Sequence, residues 1–271
     1  MRIKHPQQHD VSTTLYKDDM LNDTATERTL KIVVLSLTSS LTRRQQITDK
    51  FANLDVKFEF LNAIDGRTDT HPYLQNYHEH AFLKHRRRKA VPGELGCYVS
   101  HLLAWEKCIA LNQPLLVLED DAELTPDFMA GIKVLQTLAD NVGYVRVEPL
   151  ESKWVVTVWQ QQHFSLVKQL KVGMCATGYL ITPNAAKQLL KKATAICYPI
   201  DLFLKYTFIH QQTMYALCPP LVYPTHSDSI IGIEARKQRE RGLGLQLQRF
   251  VYKWFYVIAN TTTNLVNCYK K

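Results

Sequence analysis

The chain has 271 residues, of which 46% are hydrophobic and 21% charged, and its formal net charge is +8. That length supports one large core or a core with a small appendage, and the composition excludes a disordered or collagen-like chain. The positive balance points to an anionic partner (a nucleotide, a phosphorylated glycan, a membrane surface or a nucleic acid) or else to a solvated basic face.

Residues 1–29 are polar, carry scattered charge and show no periodicity, so they read as an extension ahead of the fold. Order begins with the β-branched run KIVVLSL at 31–37, which fits a buried strand. Ile47, Phe51 and Leu54 then recur at helical spacing. VKFEFLNAIDG alternates Val56, Phe58 and Phe60 against Lys57 and Glu59, a strand pattern that ends in the turn signal Asp65-Gly66. Strand, helix and strand open a right-handed βαβ unit. Residues 67–92 hold the basic run KHRRRK and read as a long surface loop or short-helix insertion. GELGCYVSHLLAWEKCIALN follows as a helix with an apolar stripe of Tyr98, Leu102, Trp105, Cys108 and Ile109. PLLVLEDD is a strand, and TPDFMAGIKVLQTLAD a helix with Thr125 as its N-cap and Pro126 in its first turn.

Four strand-like segments come next: GYVRVEPL, KWVVTVW, HFSLVKQLKV and CATGYLITP. NAAKQLLKKA and PIDLFLKYTFIH read as helices, and MYALC and PLVYP as short strands. The early βα alternation and the later run of strands predict an α/β fold around a mixed central sheet flanked by helices. In the C-terminal segment, 234–271, Arg236, Lys237, Arg239, Arg241, Arg249 and Lys253 mix with Phe250, Tyr252, Trp254, Phe255 and Tyr256. That mixture suits either an anionic membrane interface or a helix docking its aromatics on the domain. No nucleic-acid-binding motif is present.

The six cysteines form no CxxC pair and mostly lie in apolar segments, as small hydrophobes in a reducing compartment do. No stretch approaches the ~20 apolar residues of a membrane span, and the N-terminus has no apolar run resembling a signal peptide. The expectation is a cytoplasmic protein, with a peripheral contact on a bacterial inner membrane left open.

The sharpest local feature is the acidic triplet Glu119-Asp120-Asp121, set where the apolar run 115–118 ends. In open α/β sheets, ligands bind at the carboxyl ends of strands. Hard oxygens without paired His or Cys suit Mg²⁺ or Mn²⁺ bridging a diphosphate. The competing reading is a solvated acidic loop before the next helix.

The block PGELGCYVSHLLAWEKCIALNQPLLVLEDDAEL, at 92–124, resembles the signature of glycosyltransferase family 25, which includes bacterial lipooligosaccharide galactosyltransferases and collagen galactosyltransferase domains. IVVLSLTSSLTRRQQITDKFANLDVKFEFLNAIDG, CATGYLITPNAAKQLL and YPIDLFL resemble its other blocks, so the likeness covers about 31–233. It implies a GT-A-like nucleotide-sugar fold over 30–233 and an inverting, Mn²⁺- or Mg²⁺-dependent transfer. The implied donor is UDP-galactose and the implied acceptor an anionic glycolipid or oligosaccharide core. The triplet then matches the family's DxD-type motif. Asp121 is the metal ligand on this reading, and Glu119 and Asp120 meet ribose or donor sugar.

Other candidates carry a plain structural reading beside the functional one. Asp201, a lone acid in YPIDLFL, is the first candidate for the base that inversion requires, or else a first-turn helix acid. Glu148 is the second, or simply the partner of Arg146; Asp228 is the third. His226 is a second metal ligand or a surface histidine. His101 lies on the apolar helix stripe as a core histidine, while the family block places Ser100 and His101 at the donor. Asp65 meets uracil or ribose, or serves its turn. Arg43 and Arg44 face the diphosphate or solvent. Gly178 gives the sugar room, flanked by Thr177 and Tyr179, or marks a bulge. Leu35, near the end of the first strand, completes the donor set. Two other functions compete: a nucleotidyltransferase, disfavoured by the lack of a Gly-rich phosphate loop, and a non-catalytic glycan-binding or membrane-docking module.

Overall fold

The structure, a computed structural model, describes residues 30–225 and the helix of residues 243–269. Strand β1 (Lys31–Ser36) is the KIVVLS run, and helix α1 (Leu41–Phe51) turns Ile47 and Phe51 inward behind it. The chain returns as β2 (Phe58–Asn62), parallel to β1 with Val34 opposite Phe60. A 3₁₀ turn (Pro72–Asn76) and helix α2 (Glu79–Arg86) occupy the segment expected to be a loop or short-helix insertion. Helix α3 (Pro92–Leu111) then leads into β3 (Leu115–Glu119), which lies parallel to β1 on its other side.

Side chains alternate across β1 and β3. Val33, Leu35, Leu115 and Val117 enter one buried cluster, while Ile32, Val34, Leu116 and Leu118 enter another on the opposite face. Both faces are covered, so these strands read as continuous apolar runs.

Downstream lie β4 (Ala122–Leu124), α4 (Phe128–Leu138), β5 (Tyr144–Arg146), β6 (Val155–Gln161), β7 (Phe164–Gln169) and β8 (Gly178–Ile181). They are followed by α5 (Pro183–Lys192), α6 (Ile200–Lys205), α7 (Thr207–His210), β9 (Tyr215–Cys218), β10 (Val222–Pro224) and the C-terminal helix α8 (Leu243–Tyr269). The main sheet has eight strands in the order β2-β1-β3-β8-β5-β9-β7-β6. It is mixed: β8 runs antiparallel to both β3 and β5, and β5 runs parallel to β9. This is the α/β fold around a mixed central sheet flanked by helices that the sequence predicts.

Several local expectations are corrected. Thr125 does not cap α4; its hydroxyl donates to the Pro220 carbonyl at 3.1 Å, and the helix starts at Phe128. Strand β4, unseen in the sequence, pairs antiparallel with β10, because the loop after the acidic triplet needs a partner for its backbone groups. The segment PIDLFLKYTFIH is two short helices meeting at Tyr206. Arg88, in the middle of the basic run, is buried rather than solvated. It makes two hydrogen bonds of 2.6 Å to the Glu94 carboxylate at the start of α3.

That pair ties the turn after α2 to the start of α3 inside the fold, so breaking it leaves a charge in a poor solvent. Arg88→Met is expected to lower stability by about 3–5 kcal/mol, read by urea unfolding. Lys89→Met, at the exposed Glu79 pair, is expected to cost less than about 1 kcal/mol. Equal losses in the two variants contradict the assignment.

Candidate active site

The carboxyl ends of β1 and β3 lie side by side, and β8 enters beside β3 from the opposite direction with Gly178 across from Leu118. The Glu119 backbone N–H donates to the Thr177 carbonyl at 2.9 Å, which places Thr177 against the acidic triplet. Two cavities meet there. The first, a cleft with about 740 Å³ of open space, is lined by Leu35, Ser36, Arg43, Asp65, Arg67, Cys97, Ser100, His101 and all three acids. The second is lined by Arg86, Glu94, Cys97, Glu119, Asp121, Cys175, Thr177 and Asp201. Cys97, Glu119 and Asp121 belong to both.

Three adjacent carboxylates repel one another, and the fold treats each differently. Asp120 accepts hydrogen bonds from Ser36 Oγ at 2.7 Å and Arg43 Nη1 at 3.0 Å, so its charge is matched within the protein. Glu119 is held below the usual carboxylate range. Burial opposes its ionisation, but a hydrogen bond from His101 at 3.3 Å, a contact from the Cys97 thiol at 3.7 Å and the charge of Arg43 outweigh it. Asp121 has no side-chain donor of this kind among the described residues, and the charge of Arg43 offsets its burial only in part. Burial, and then the neighbouring Glu119 charge, push its carboxyl up to about 7. Its Oδ1 is buried with no hydrogen-bond partner among the described residues. Its backbone carbonyl is pinned by Thr225, through both the N–H at 3.0 Å and the hydroxyl at 2.7 Å.

His101 is fully buried at the end of a hydrogen-bonded chain. Trp105 Nε1 can only donate, and it donates to the Tyr179 hydroxyl at 3.0 Å. The Tyr179 proton then goes to His101 Nδ1 at 2.8 Å. This assignment leaves the imidazole proton on Nε2, aimed at Glu119. Cys97, His101 and Glu119 place their possible ligand atoms within 4.8 Å of one another, but on this tautomer the imidazole nitrogen is a donor to Glu119 and not an open ligand.

The other sequence candidates are placed as follows. Ser100 braces rather than reaches: its hydroxyl donates to the Gly96 carbonyl and accepts from the Ile64 N–H. The backbones are so close here that a Cβ on Gly66 would lie 2.0 Å from the Pro92 carbonyl oxygen. Asp65 lines the cleft with its carboxylate gripped by Arg67, which holds its pKa down. Arg43 faces the cleft. Arg44 turns away, donating to the carbonyls of Ser36 and Leu37 and to Asn62 with its guanidinium over Phe60. Gly178 is packed: a Cβ there would come within 2.7 Å of Val222 and 2.9 Å of Val147. Glu148 is buried outside both cavities, one oxygen on Arg146 and the other accepting the Gly178 N–H at 3.1 Å. Asp201 stands in the first turn of α6 and lines the second cavity together with Asp121. His226 and Asp228 lie outside the described residues.

Sequence reasoning had no signal for Ser36, Arg67 or Thr225 as partners of the site, since each acts through a contact across the fold. Trp105 reads as a core aromatic, which it is; Tyr179, expected to flank the sugar beside Gly178, is instead fully buried outside both cavities, and the polar edges of the two rings make the relay to His101.

The family model described as Glycosyltransferase family 25 (LPS biosynthesis protein) matches residues 29–204. A "Glycosyltransferase 25 family member" of Aedes aegypti is 29% identical over 230 residues, which is 72% of this chain and 36% of that protein. The chain therefore spans little more than a third of that insect relative. "Lipooligosaccharide biosynthesis protein lic2B" of Haemophilus influenzae is 23% identical, covering 80% of this chain and 85% of that protein. "Lacto-N-neotetraose biosynthesis glycosyltransferase LgtE" of Neisseria gonorrhoeae is 24% identical, covering 77% and 81%. Among solved structures, a glycosyltransferase involved in the glycosylation of the major capsid of PBCV-1 aligns over 80% of this chain and 98% of its own, with a TM-score of 0.39 and 10% identity.

Two outcomes are expected of the site. Between the ordinary carboxylate range and about pH 7, folded Asp121 holds a proton that the unfolded chain has released. Its contribution to stability is therefore lost as pH rises through that window. Asp121→Asn should stabilise the metal-free protein by roughly 2 kcal/mol at pH 8 and by almost nothing at pH 4, read by urea unfolding in EDTA. A variant no more stable than wild type at pH 8 contradicts an unpaired buried charge. Tyr179→Phe strands the Trp105 N–H and releases His101, and is expected to cost about 1–3 kcal/mol by the same measurement.

Proposed function

The chain belongs to glycosyltransferase family 25, and on that premise we propose that it moves a sugar from a nucleotide-sugar donor to a lipooligosaccharide acceptor, inverting the anomeric carbon. The finer reading is a β-galactosyltransferase using UDP-galactose, after the galactosyltransferases that the signature block resembles. The observation that carries the proposal is Asp121. An orphaned carboxylate oxygen at the carboxyl end of a buried strand, shared by two cavities, is suited to a cation and to two substrates meeting over it.

The residues fit a hard divalent ion: the donor set is carboxylate oxygen, and one oxygen is buried without a partner. Asp121 would hold Mn²⁺ or Mg²⁺ and, when bound, the ion would offset the charge gathering on the departing diphosphate. The first cavity is the donor side. Arg43 and Arg67 add positive charge there, and Asp65 orients Arg67. His101 and Cys97 keep Glu119 ionised and oriented at the junction. The second cavity is the acceptor side, where Asp201 is the base. It takes the hydroxyl proton as the acceptor oxygen bonds to the anomeric carbon. The bond from that carbon to the diphosphate oxygen breaks, and its electron pair leaves with UDP.

The test is UDP release from a panel of UDP-sugars with Mn²⁺, with Mg²⁺ and with EDTA, alongside donor binding by calorimetry. Wild type is expected to release UDP from one donor only when metal is present. Asp121→Ala should lose metal-dependent donor binding. Asp201→Asn should bind donor normally and transfer about 10²–10⁴-fold more slowly. If no UDP-sugar binds with any metal, the transferase reading fails. Normal transfer by Asp201→Asn returns that residue to a helix-start role.

A further inference from the structure

Helix α8 is amphipathic in the wrong sense for a protein surrounded by water. Its polar side faces the domain. Asn264 accepts a hydrogen bond from the Thr207 hydroxyl at 2.7 Å and donates to the Leu170 carbonyl at 3.0 Å. Lys168 Nζ donates to the Asn267 carbonyl at 3.0 Å, and Tyr256 stacks on Tyr206 with ring centres 4.4 Å apart. These bonds fix the helix rotation. The opposite side carries Phe250, Val251, Trp254, Phe255 and Ile258, every one more than half exposed. Leu265 and Val266 are exposed on the same side about two turns further on, beyond the exposed Thr261 and Thr262, and the unbroken part from Phe250 to Ile258 spans about 12 Å at ~1.5 Å per residue. Isolated exposed apolar residues need no explanation, but a continuous aromatic and aliphatic face does.

The charge around the face indicates what covers it. The sequence of α8 contains no aspartate or glutamate. Along its flank runs a groove lined by Lys84, Arg86, Lys205 and Lys253 together with Tyr252 and Tyr256. A neutral protein partner would have no use for that cationic margin, whereas an anionic bilayer matches it: acyl chains take the apolar face and headgroups take the lysines and arginines. Trp and Tyr at the boundary of the two suit the headgroup level. No helix among the described residues is long and apolar enough to cross a membrane, so the helix would lie in the surface.

We infer that α8 docks the protein on an anionic lipid bilayer through its Phe250-Trp254-Ile258 face, with the Lys84/Lys253 groove at headgroup level. Arg86 lines both this groove and the cavity containing Asp201 and Asp121, so the basic track leads from the lipid surface to the acceptor side. That last step, a lipid-linked anionic acceptor entering along the groove, rests on the transferase reading; the docking does not.

The experiment is co-sedimentation of the full chain with phosphatidylcholine vesicles, with and without phosphatidylglycerol, at low and high salt. Wild type is expected to pellet with the anionic vesicles and to be released by salt. The triple variant Trp254→Ser, Phe255→Ser, Ile258→Ser is expected to bind about tenfold less. Lys84→Glu with Lys253→Glu is expected to lose the preference for anionic over zwitterionic vesicles. Circular dichroism and donor binding should be unchanged in both, since none of these residues touches the two cavities. Wild type remaining in the supernatant at low salt, or a triple variant that pellets like wild type, overturns the inference. A wild-type dimer in light scattering that the triple variant abolishes, without vesicle binding, also overturns it and assigns the face to a second copy. Vesicle binding in a protein that binds no UDP-sugar would leave the docking standing and remove the transferase reading.

Discussion

The structure is organised around the placement of three carboxylates at the end of a strand whose preceding residues are fully buried. Leu115 to Leu118 have no exposure at all, so Glu119, Asp120 and Asp121 cannot retreat into bulk water without tearing β3 from its neighbours. The charges must be met where they stand. Asp120 is met by Ser36 and Arg43 from the adjacent strand and helix, and Glu119 by His101 and Cys97 from the long helix α3. Asp121 keeps a buried carboxylate oxygen without a hydrogen-bond donor among the described residues, and burial with the neighbouring Glu119 charge raises its pKa despite Arg43. A protein that solves two of three such problems has the means to solve the third. Asp121 is thus the member of the triplet whose buried oxygen the fold leaves without a donor among the described residues.

Much of the fold serves this arrangement. Helix α3 supplies Cys97, Ser100, His101 and Trp105 from one side of its length, because residues three and four apart share a face. Its start is tied down by the buried Arg88–Glu94 pair, and its first turns press against the loop after β2 through Gly66 and Gly96, where a side chain would collide. The antiparallel entry of β8 puts Thr177 beside Glu119 and Tyr179 under His101. The small β4-β10 pair then returns Thr225 to hold the Asp121 backbone. Each contact limits the freedom of a carboxylate, which is the preorganisation that electrostatic catalysis depends on.

Helix α8 applies the same logic at the surface. Asn260, Asn264 and Tyr256 are spent on the domain, while Phe250, Trp254 and Ile258 lie outside. Burying the apolar side instead would leave Asn260 and Asn264 without Thr207 and the Leu170 carbonyl. From sequence both orientations were open, because a helical pattern shows that two faces differ but not which faces the core.

What the sequence determined by itself was local and periodic. The buried strands, the long helix α3 and the acidic triplet at a strand end were legible, since burial on both faces writes a continuous apolar run and a helix repeats at its own period. The family likeness was legible in linear blocks, and the family model matches 29–204. What only the tertiary structure decided was which charges found partners. Ser36 meets Asp120 across 84 positions of chain, Tyr179 meets His101 across 78 and Thr225 meets Asp121 across 104. Arg88 among its basic neighbours and Asp121 among its acidic ones look alike in sequence. They differ only in what the fold brings against them, and an ionised group in a poor solvent is stabilised or stranded by contacts that sequence spacing does not encode.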